Sequence, residues 1–231
     1  LHRSRVIARL TGTLPEGGFE EGTPIHAVDF PDLLRAQDAP PPQRHDIDIG
    51  GKLAFMIEDV LTRAECARLI EVTEQLGFRD AAPGINTPPG MRRNKTVHWL
   101  APAAAMAELF RRIAPFLPQE LDGRRLSPIL SHRINTYRYD RGDEFNLHID
   151  GDWPGFGLTP DGTRMTQWSG THSMLTMLLY LNPGYSIFTG DAISVSLKKS
   201  IPVTIELASL AMAFGLLIAI PVGVLSATRQ D

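Results

Sequence analysis

The period of hydrophobic and polar positions changes along the chain. From about residue 63 to 76 the apolar side chains recur at helical spacing, and Thr62 and Glu65 ahead of them form a capping-box pattern. Gly77 is placed to end this helix. A second helical run extends from about Ala103 to Ala114 and stops at the prolines that follow. The inner face of the first helix is expected to carry Cys66, Leu69, Ile70, Thr73 and Leu76.

After Leu126 the period becomes two, which is typical of strands. Residues 131–139 alternate, and 140–143 read as a turn before a second alternating run. Residues 151–171 have the composition of a long loop, which we expect to act as a lid. The nearly all-apolar residues 173–181 predict a central strand buried on both faces. Two helices followed by closely spaced strands predict an α+β domain with a barrel or double-sheet core.

Two segments lack a sustained period. Residues 1–46 are rich in Pro and Gly, so we expect a loosely structured arm. Residues 84–96 predict a basic surface loop.

The overall composition limits which kinds of protein this chain can be. With 231 residues and 43% hydrophobic content the chain can bury a sizeable core. A net charge of -3 gives no reason to expect a nucleic-acid partner. Cys66 is the single cysteine, which is compatible with a reducing compartment, and we expect it to be a small buried hydrophobe. No signal-peptide pattern opens the sequence, and the body of the chain is expected to be cytoplasmic.

The second alternating run contains an imidazole and a carboxylate two positions apart. His148 and Asp150 project to the same side of a strand, with Asn146, while Phe145 and its alternates face the other way. One imidazole nitrogen and one carboxylate oxygen are two thirds of the facial triad that holds non-haem iron(II). The tripeptide by itself is common, and a pair that binds no metal is the alternative.

Around this pair the chain places Tyr139, Gly142, Asp143 and Phe145 at fixed spacing ahead of His148 and Asp150. With these residues the stretch resembles the iron(II)- and 2-oxoglutarate-dependent dioxygenases of the prolyl 4-hydroxylase type. The resemblance covers about residues 47–182. It implies a double-stranded β-helix (jelly-roll) fold with the helices packed on it, and His148 and Asp150 as catalytic iron ligands. It also implies that Tyr139 donates a hydroxyl hydrogen bond to 2-oxoglutarate, the alternative being a core aromatic.

The resemblance implies dioxygen, iron(II) and 2-oxoglutarate as reactants or cofactors, with ascorbate as a further possible cofactor. The substrate would be a small molecule or a peptidyl side chain. Trp153, Phe156 and Trp168 of the expected lid would shape its pocket or serve in packing.

The family pattern breaks after residue 182. No Gly-Gly-x-Thr turn follows, and none of the seven histidines lies beyond His172. The distal iron-binding His and the Lys or Arg that grips 2-oxoglutarate are therefore missing. His172 does not match the position of the missing ligand and is expected to be a loop or lid residue. We expect the domain to be truncated and impaired.

The remaining sequence has another character. Leu207–Ala227 holds 21 residues without a charge, enough to span a membrane as a helix. A second pattern consists of Gly184, Ser186, Ile187, Thr189, Gly190, Pro202, Thr204, Glu206, Leu207, Ala208, Ile220, Pro221, Gly223 and Val224. At these positions residues 184–231 resemble inner-membrane permease subunits of peptide-type ABC transporters.

The sequence therefore predicts three parts: an arm over 1–46, a dioxygenase-like domain over 47–183 and a permease-like segment over 184–231 with an apolar helix at about 203–227. The hypothesis is a chimera joined near residues 182–185, either a true fusion or an assembly error. A membrane transport component, tethered to the inner membrane through 207–227, is the alternative function. A non-enzymatic metal-binding module is a third possibility.

Overall fold

The computed structural model describes residues 3–13, 19–35, 41–79, 92–140, 142–145 and 151–181. Within these ranges the chain is an α+β protein with two α-helices, as the sequence predicts. The strands, in chain order, are β1 (Arg3–Thr13), β2 (Phe19–Asp29), β3 (Gln43–Asp46), β4 (Phe55–Glu58), β5 (Arg92–Arg93), β6 (Lys95–Leu100), β7 (Glu120–Leu121), β8 (Arg124–Arg125), β9 (Arg133–Arg138), β10 (Glu144–Phe145), β11 (Phe156–Leu158) and β12 (Met165–Gln167).

The main sheet has four strands in the order β1-β2-β6-β9. β1 and β2 form an antiparallel hairpin, β2 runs parallel to β6, and β6 is antiparallel to β9. The register places Ile25 beside His98 and His98 beside Asn135. Three strands from distant parts of the sequence therefore meet around His98.

The expectation of a loosely structured arm over residues 1–46 is wrong for residues 3–13 and 19–29. Both segments are strands of the main sheet, and Ile25 is fully buried. Thr23, Pro24, Ile25, Ala27 and Val28 are all buried, so β2 is covered on both of its faces. A strand covered on both faces need not alternate between polar and apolar residues, and the nearby Pro and Gly residues indicated a loop.

The first helix, α1, spans Arg63–Leu76 and confirms the capping box. The backbone N–H of Glu65 donates to Thr62 Oγ1 (3.2 Å), and the Thr62 N–H donates to Glu65 Oε2 (2.9 Å). Gly77 closes the helix with φ of 86°, a conformation that favours glycine. The buried face holds Glu65, Leu69, Val72 and Thr73, and Leu76 packs against the core. The prediction of this face was therefore correct for Leu69, Thr73 and Leu76, whereas Cys66 is only partly buried.

The second helix, α2, spans Ala103–Ile113 and continues into a 3-10 turn over Ala114–Phe116, which confirms the predicted helix. Both helices pack on one face of the main sheet. Their shared core consists of Val28, Leu33, Val60, Leu69, Val72, Val97, Trp99, Ala101, Ala105, Met106, Leu109 and Ile113.

A buried ion pair joins the two helices. Arg112 near the end of α2 donates to both carboxylate oxygens of Glu65 in the first turn of α1, at 2.8 and 2.9 Å. The Arg112 side chain is 5% exposed and that of Glu65 is 0% exposed. Arg112 also donates to the Val60 carbonyl (3.0 Å) and to Glu108 (2.8 Å). The pair therefore fixes the relative position of the helix ends.

Four two-stranded sheets complete the described elements: β5 with β10, β11 with β12, β3 with β4, and β7 with β8. The expected loop at 84–96 is therefore wrong for residues 92–93 and 95–96, which pair with the sequence that precedes His148 and with β9. The expected long loop at 151–171 contains the β11–β12 hairpin. Gly155 and Gly157 allow this hairpin to pack closely against the indole of Trp168.

Residues 173–181 are not the buried central strand that their apolar character predicts. No strand is assigned there, and Leu178 and Tyr180 are 68% and 70% exposed. A strand buried on both faces requires a bonded neighbour and two covering layers, and within the described ranges this segment has no paired strand.

The chain divides into two compact units. One comprises Leu1–Arg44 with Ile57–Leu181, and the other His45–Met56 with Asn182–Asp231. The helices, the main sheet and the strands from β5 to β12 belong to the first unit. Residues 182–231, including the expected apolar helix, lie outside the described residues. Among the residues that are described, neither helix has the length and apolar character needed to cross a bilayer.

Candidate functional site

The sheet face opposite the helices carries a group of polar side chains beside the buried Ile25 and Leu100. We define the polar face as Thr96 and His98 of β6 with Arg133, Asn135 and Tyr137 of β9. The cross-strand register puts Thr96 beside Tyr137 and His98 beside Asn135. The alternate residues, such as Val97 and Trp99, point into the helix-packed core. Asn135 and Tyr137 therefore share a face, as their spacing predicts.

His98 lies at the centre of the polar face and is fully buried. Its Nδ1 is 2.7 Å from Asn135 Oδ1, and its Nε2 is 3.1 Å from Thr96 Oγ1. Because an amide oxygen can only accept, the Nδ1–H of His98 is the donor in the first contact. The imidazole ring is thus held by groups on both of its edges.

The turn predicted at residues 140–143 is present. The Asp143 N–H donates to the Asp140 carbonyl (3.0 Å), and the Asp140 N–H donates to Asp143 Oδ2 (2.8 Å). Gly142 has φ of 86°, so glycine suits this position. Lys95 anchors the turn through Asp140 (2.7 Å). The hydrogen bond from Lys95 and its positive charge lower the pKa of Asp140.

The turn reverses the chain into β10, which carries Glu144 and Phe145. Glu144 pairs with Arg93 and Phe145 with Arg92. The ring of Phe145 meets that of Tyr137 edge-on, with centroids 6.4 Å apart and planes at 64°. The chain therefore arrives at residue 146 from a paired strand whose last side chain contacts the polar face.

Tyr139, the residue predicted to bind the cosubstrate, follows directly after β9 and is 50% exposed. Its exposure argues against the alternative of a core aromatic. Its spacing from Asn135 and Tyr137 continues the same alternation past the end of the strand.

His148 and Asp150, the predicted catalytic residues and iron ligands, lie outside the described residues. Within the residues that are described, no group of three His, Cys, Asp or Glu side chains is placed to hold a metal ion. The family resemblance implies one imidazole and one carboxylate as metal ligands, which is one ligand fewer than a facial triad has.

His172 is a surface residue in the described part of the chain. Its Nδ1 lies 3.0 Å from Asp152 Oδ2, and both side chains are about 60% exposed (62% and 60%). This position fits the predicted loop role. The pair joins the two ends of the segment that contains the β11–β12 hairpin.

The hairpin brings aromatic rings to one end of the polar face. The His132 N–H donates to the Phe156 carbonyl (2.8 Å), and the Phe156 N–H donates to Ser131 Oγ (3.1 Å). Trp168 meets the His132 ring edge-on at 5.1 Å. Burial lowers the pKa of His132. The hairpin is therefore fastened to the residues that precede β9.

Sequence reasoning missed His98 and Arg133. The run from Thr96 to Trp99 alternates polar and apolar residues, and this period was the available signal for His98. It was hidden because the preceding basic residues suggested a loop. Arg133 gave no comparable signal, since a single arginine in a strand is usually solvated.

Comparisons with protein-family models, with curated proteins and with solved structures find no match for this chain.

Proposed function

We propose that residues 47–183 are the front part of an iron(II)- and 2-oxoglutarate-dependent dioxygenase domain of the prolyl 4-hydroxylase type, built as an incomplete jelly roll. The observation that carries the proposal is the register of six residues over a short stretch, from Tyr139 to Asp150. The antiparallel β9 strand, the turn at residues 140–143 and the returning β10 strand support it.

In this proposal His148 and Asp150 are the catalytic metal ligands, and Tyr139 holds the cosubstrate through its hydroxyl. When bound, iron(II) would supply open coordination positions for oxidative chemistry. The chain offers two of the three protein donors and lacks the family's distal Lys or Arg. We therefore expect weak metal binding and little or no turnover of 2-oxoglutarate.

A metal titration tests the site itself. Full-length protein is titrated with Co²⁺, a redox-stable probe, and followed by visible absorption. His148→Ala should weaken binding at least about 10-fold, because it removes one of two donors. His172→Ala, which alters an exposed histidine that pairs with Asp152, should leave the affinity unchanged. Equal affinity in wild type and His148→Ala would overturn the assignment.

A turnover assay tests the expected impairment. Wild type is incubated with Fe²⁺, 2-oxoglutarate and oxygen, and succinate release is measured against a control without iron. We expect no iron-dependent release. Release that is abolished in His148→Ala would show that the chain is active, and would contradict the impairment while supporting the family assignment.

We also propose a second candidate, a membrane-tethered transport component, because Leu207–Ala227 is uncharged over 21 residues. The flanking Lys198, Lys199 and Arg229 would lie at the membrane surface. In this case the dioxygenase-like part would be incidental to the role of the protein.

A further inference from the structure

Two arginines on β9 have contrasting surroundings. Arg138 donates to both oxygens of Glu74, at 2.9 and 3.2 Å, and its guanidinium lies 5.1 Å from the centre of the Phe78 ring. Arg133, on the polar face, also lies beside aromatic rings, but it has no carboxylate like that of Glu74. The Nε of each arginine is buried without a hydrogen-bond partner, but within the described ranges no Asp or Glu forms an ion pair with Arg133.

Such a guanidinium is costly to keep in place. A buried charge or N–H without a partner loses its hydration without replacement. Burial accordingly lowers the pKa of Arg133, and the nearby Tyr137 opposes that shift. A bound anion would restore both the charge balance and the missing hydrogen bond.

Two rings from the segment 153–156 frame the guanidinium. Its Cζ lies 5.3 Å from the centre of the Phe156 ring and 5.7 Å from that of Trp153, within cation–π range. These contacts place the planar group between two aromatic rings. Trp153 is 46% exposed, so this ring borders solvent.

We propose that Arg133, framed by Trp153 and Phe156, is a binding site for the carboxylate of a small molecule. A guanidinium presents two parallel N–H donors that match the two oxygens of a carboxylate. A single positive charge balances one carboxylate of such a ligand. Asn135 and Tyr137 on the same face are placed to contact the remainder of the ligand.

The site does not depend on the proposed dioxygenase function. The family's basic residue for 2-oxoglutarate lies downstream of the missing distal histidine, whereas Arg133 precedes His148 in the sequence. Binding is therefore measured without added metal, in wild type and in His148→Ala. The two proteins should bind the carboxylate equally.

Succinate is the probe, with succinamide as its uncharged counterpart and inorganic phosphate as the competing anion. Ligand-observed NMR on full-length protein should show saturable succinate binding and no binding of succinamide. Arg133→Gln should weaken succinate binding at least about 10-fold, and Arg138→Gln, a change on the opposite face of the same strand, should not. Arg133→Lys should fall between, because it keeps the charge and loses the paired donors.

The proposal fails if wild type binds succinate no better than succinamide, or if Arg133→Gln binds it as wild type does. Phosphate that binds as tightly as succinate would overturn the carboxylate assignment. Circular dichroism establishes that each variant is folded. If both Arg133 variants unfold, the comparison of succinate with succinamide in wild type decides the question.

Discussion

Among single residues, the Arg112–Glu65 pair carries the clearest consequence for stability. Removing one partner of a buried ion pair leaves the other charge without compensation, which typically costs 3–5 kcal/mol. We expect Glu65→Gln to lower the free energy of unfolding by about 3 kcal/mol, since glutamine retains the shape but not the charge. Urea denaturation followed by circular dichroism measures the change.

Glu71→Gln is the matched control, because Glu71 is an exposed glutamate of the same helix that accepts a hydrogen bond from Gln75. It should change stability by less than about 0.5 kcal/mol. Similar losses in both variants would show that the buried pair has no special weight.

The neighbouring Glu108 predicts a pH dependence. Hydrogen bonds from Arg111 lower its pKa from 4.5 to about 2, against the effect of burial, with a further contribution from Arg112. Because the folded pKa is the lower one, the unfolded chain takes up the proton first as the pH falls. The stabilisation is therefore complete above about pH 4.5 and is lost towards pH 2.

Wild type should thus be more stable than Glu108→Gln at pH 6, and the difference should vanish near pH 2. Urea midpoints of both proteins across this range provide the measurement. A difference that does not vary with pH would mean that the glutamate acts through packing alone.

At the residue scale, the sequence predicts the contacts that form between near neighbours in the chain. The Thr62–Glu65 cap and the turn at residues 140–143 depend on neighbours within four positions, so their residue types suffice. The surroundings of His98 and Arg133 depend on strands far apart in the sequence. No local pattern reports such a contact.

At the level of elements, the β11–β12 hairpin depends on close packing at Gly155. A Cβ built at Gly155 would lie 2.3 Å from an atom of the Trp168 ring, far closer than packing allows. We expect Gly155→Ala to displace the indole and cost about 1–3 kcal/mol. The change in thermal midpoint and in tryptophan fluorescence would be measured together.

Gly151→Ala serves as the control, because its added Cβ would meet the Trp153 ring at an ordinary 3.7 Å. Stability and fluorescence should stay near wild type in this variant. Since the hairpin carries Phe156, Gly155→Ala should also weaken succinate binding. Unchanged fluorescence in Gly155→Ala would contradict the packing argument.

The helices were predictable and several strands were not, for a physical reason. A helix forms its backbone hydrogen bonds within its own sequence, so period and caps identify α1 and α2. A strand depends on its partner: β1 and β2 gain their order from each other and from β6, despite nearby Pro and Gly. Conversely, the apolar residues 173–181 favour a strand but lack a paired partner in the described structure.

For the whole molecule, the segment Leu207–Ala227 makes the final prediction. Its 21 uncharged residues are long enough for a helix across the hydrocarbon core. The free energy gained by burying these residues in lipid would exceed the cost of placing the basic flanks at the membrane surface. When the full chain is expressed in bacteria, we expect it in the membrane pellet after carbonate washing and in solution after detergent. Leu217→Arg with Ile218→Arg should release it, because each central arginine costs about 2.5–3.5 kcal/mol. The matched change Leu178→Arg with Tyr180→Arg, at exposed positions of the first unit, should leave it in the pellet. Wild type that stays in the supernatant without detergent would rule out the tether and leave the dioxygenase-like domain as the basis for any function.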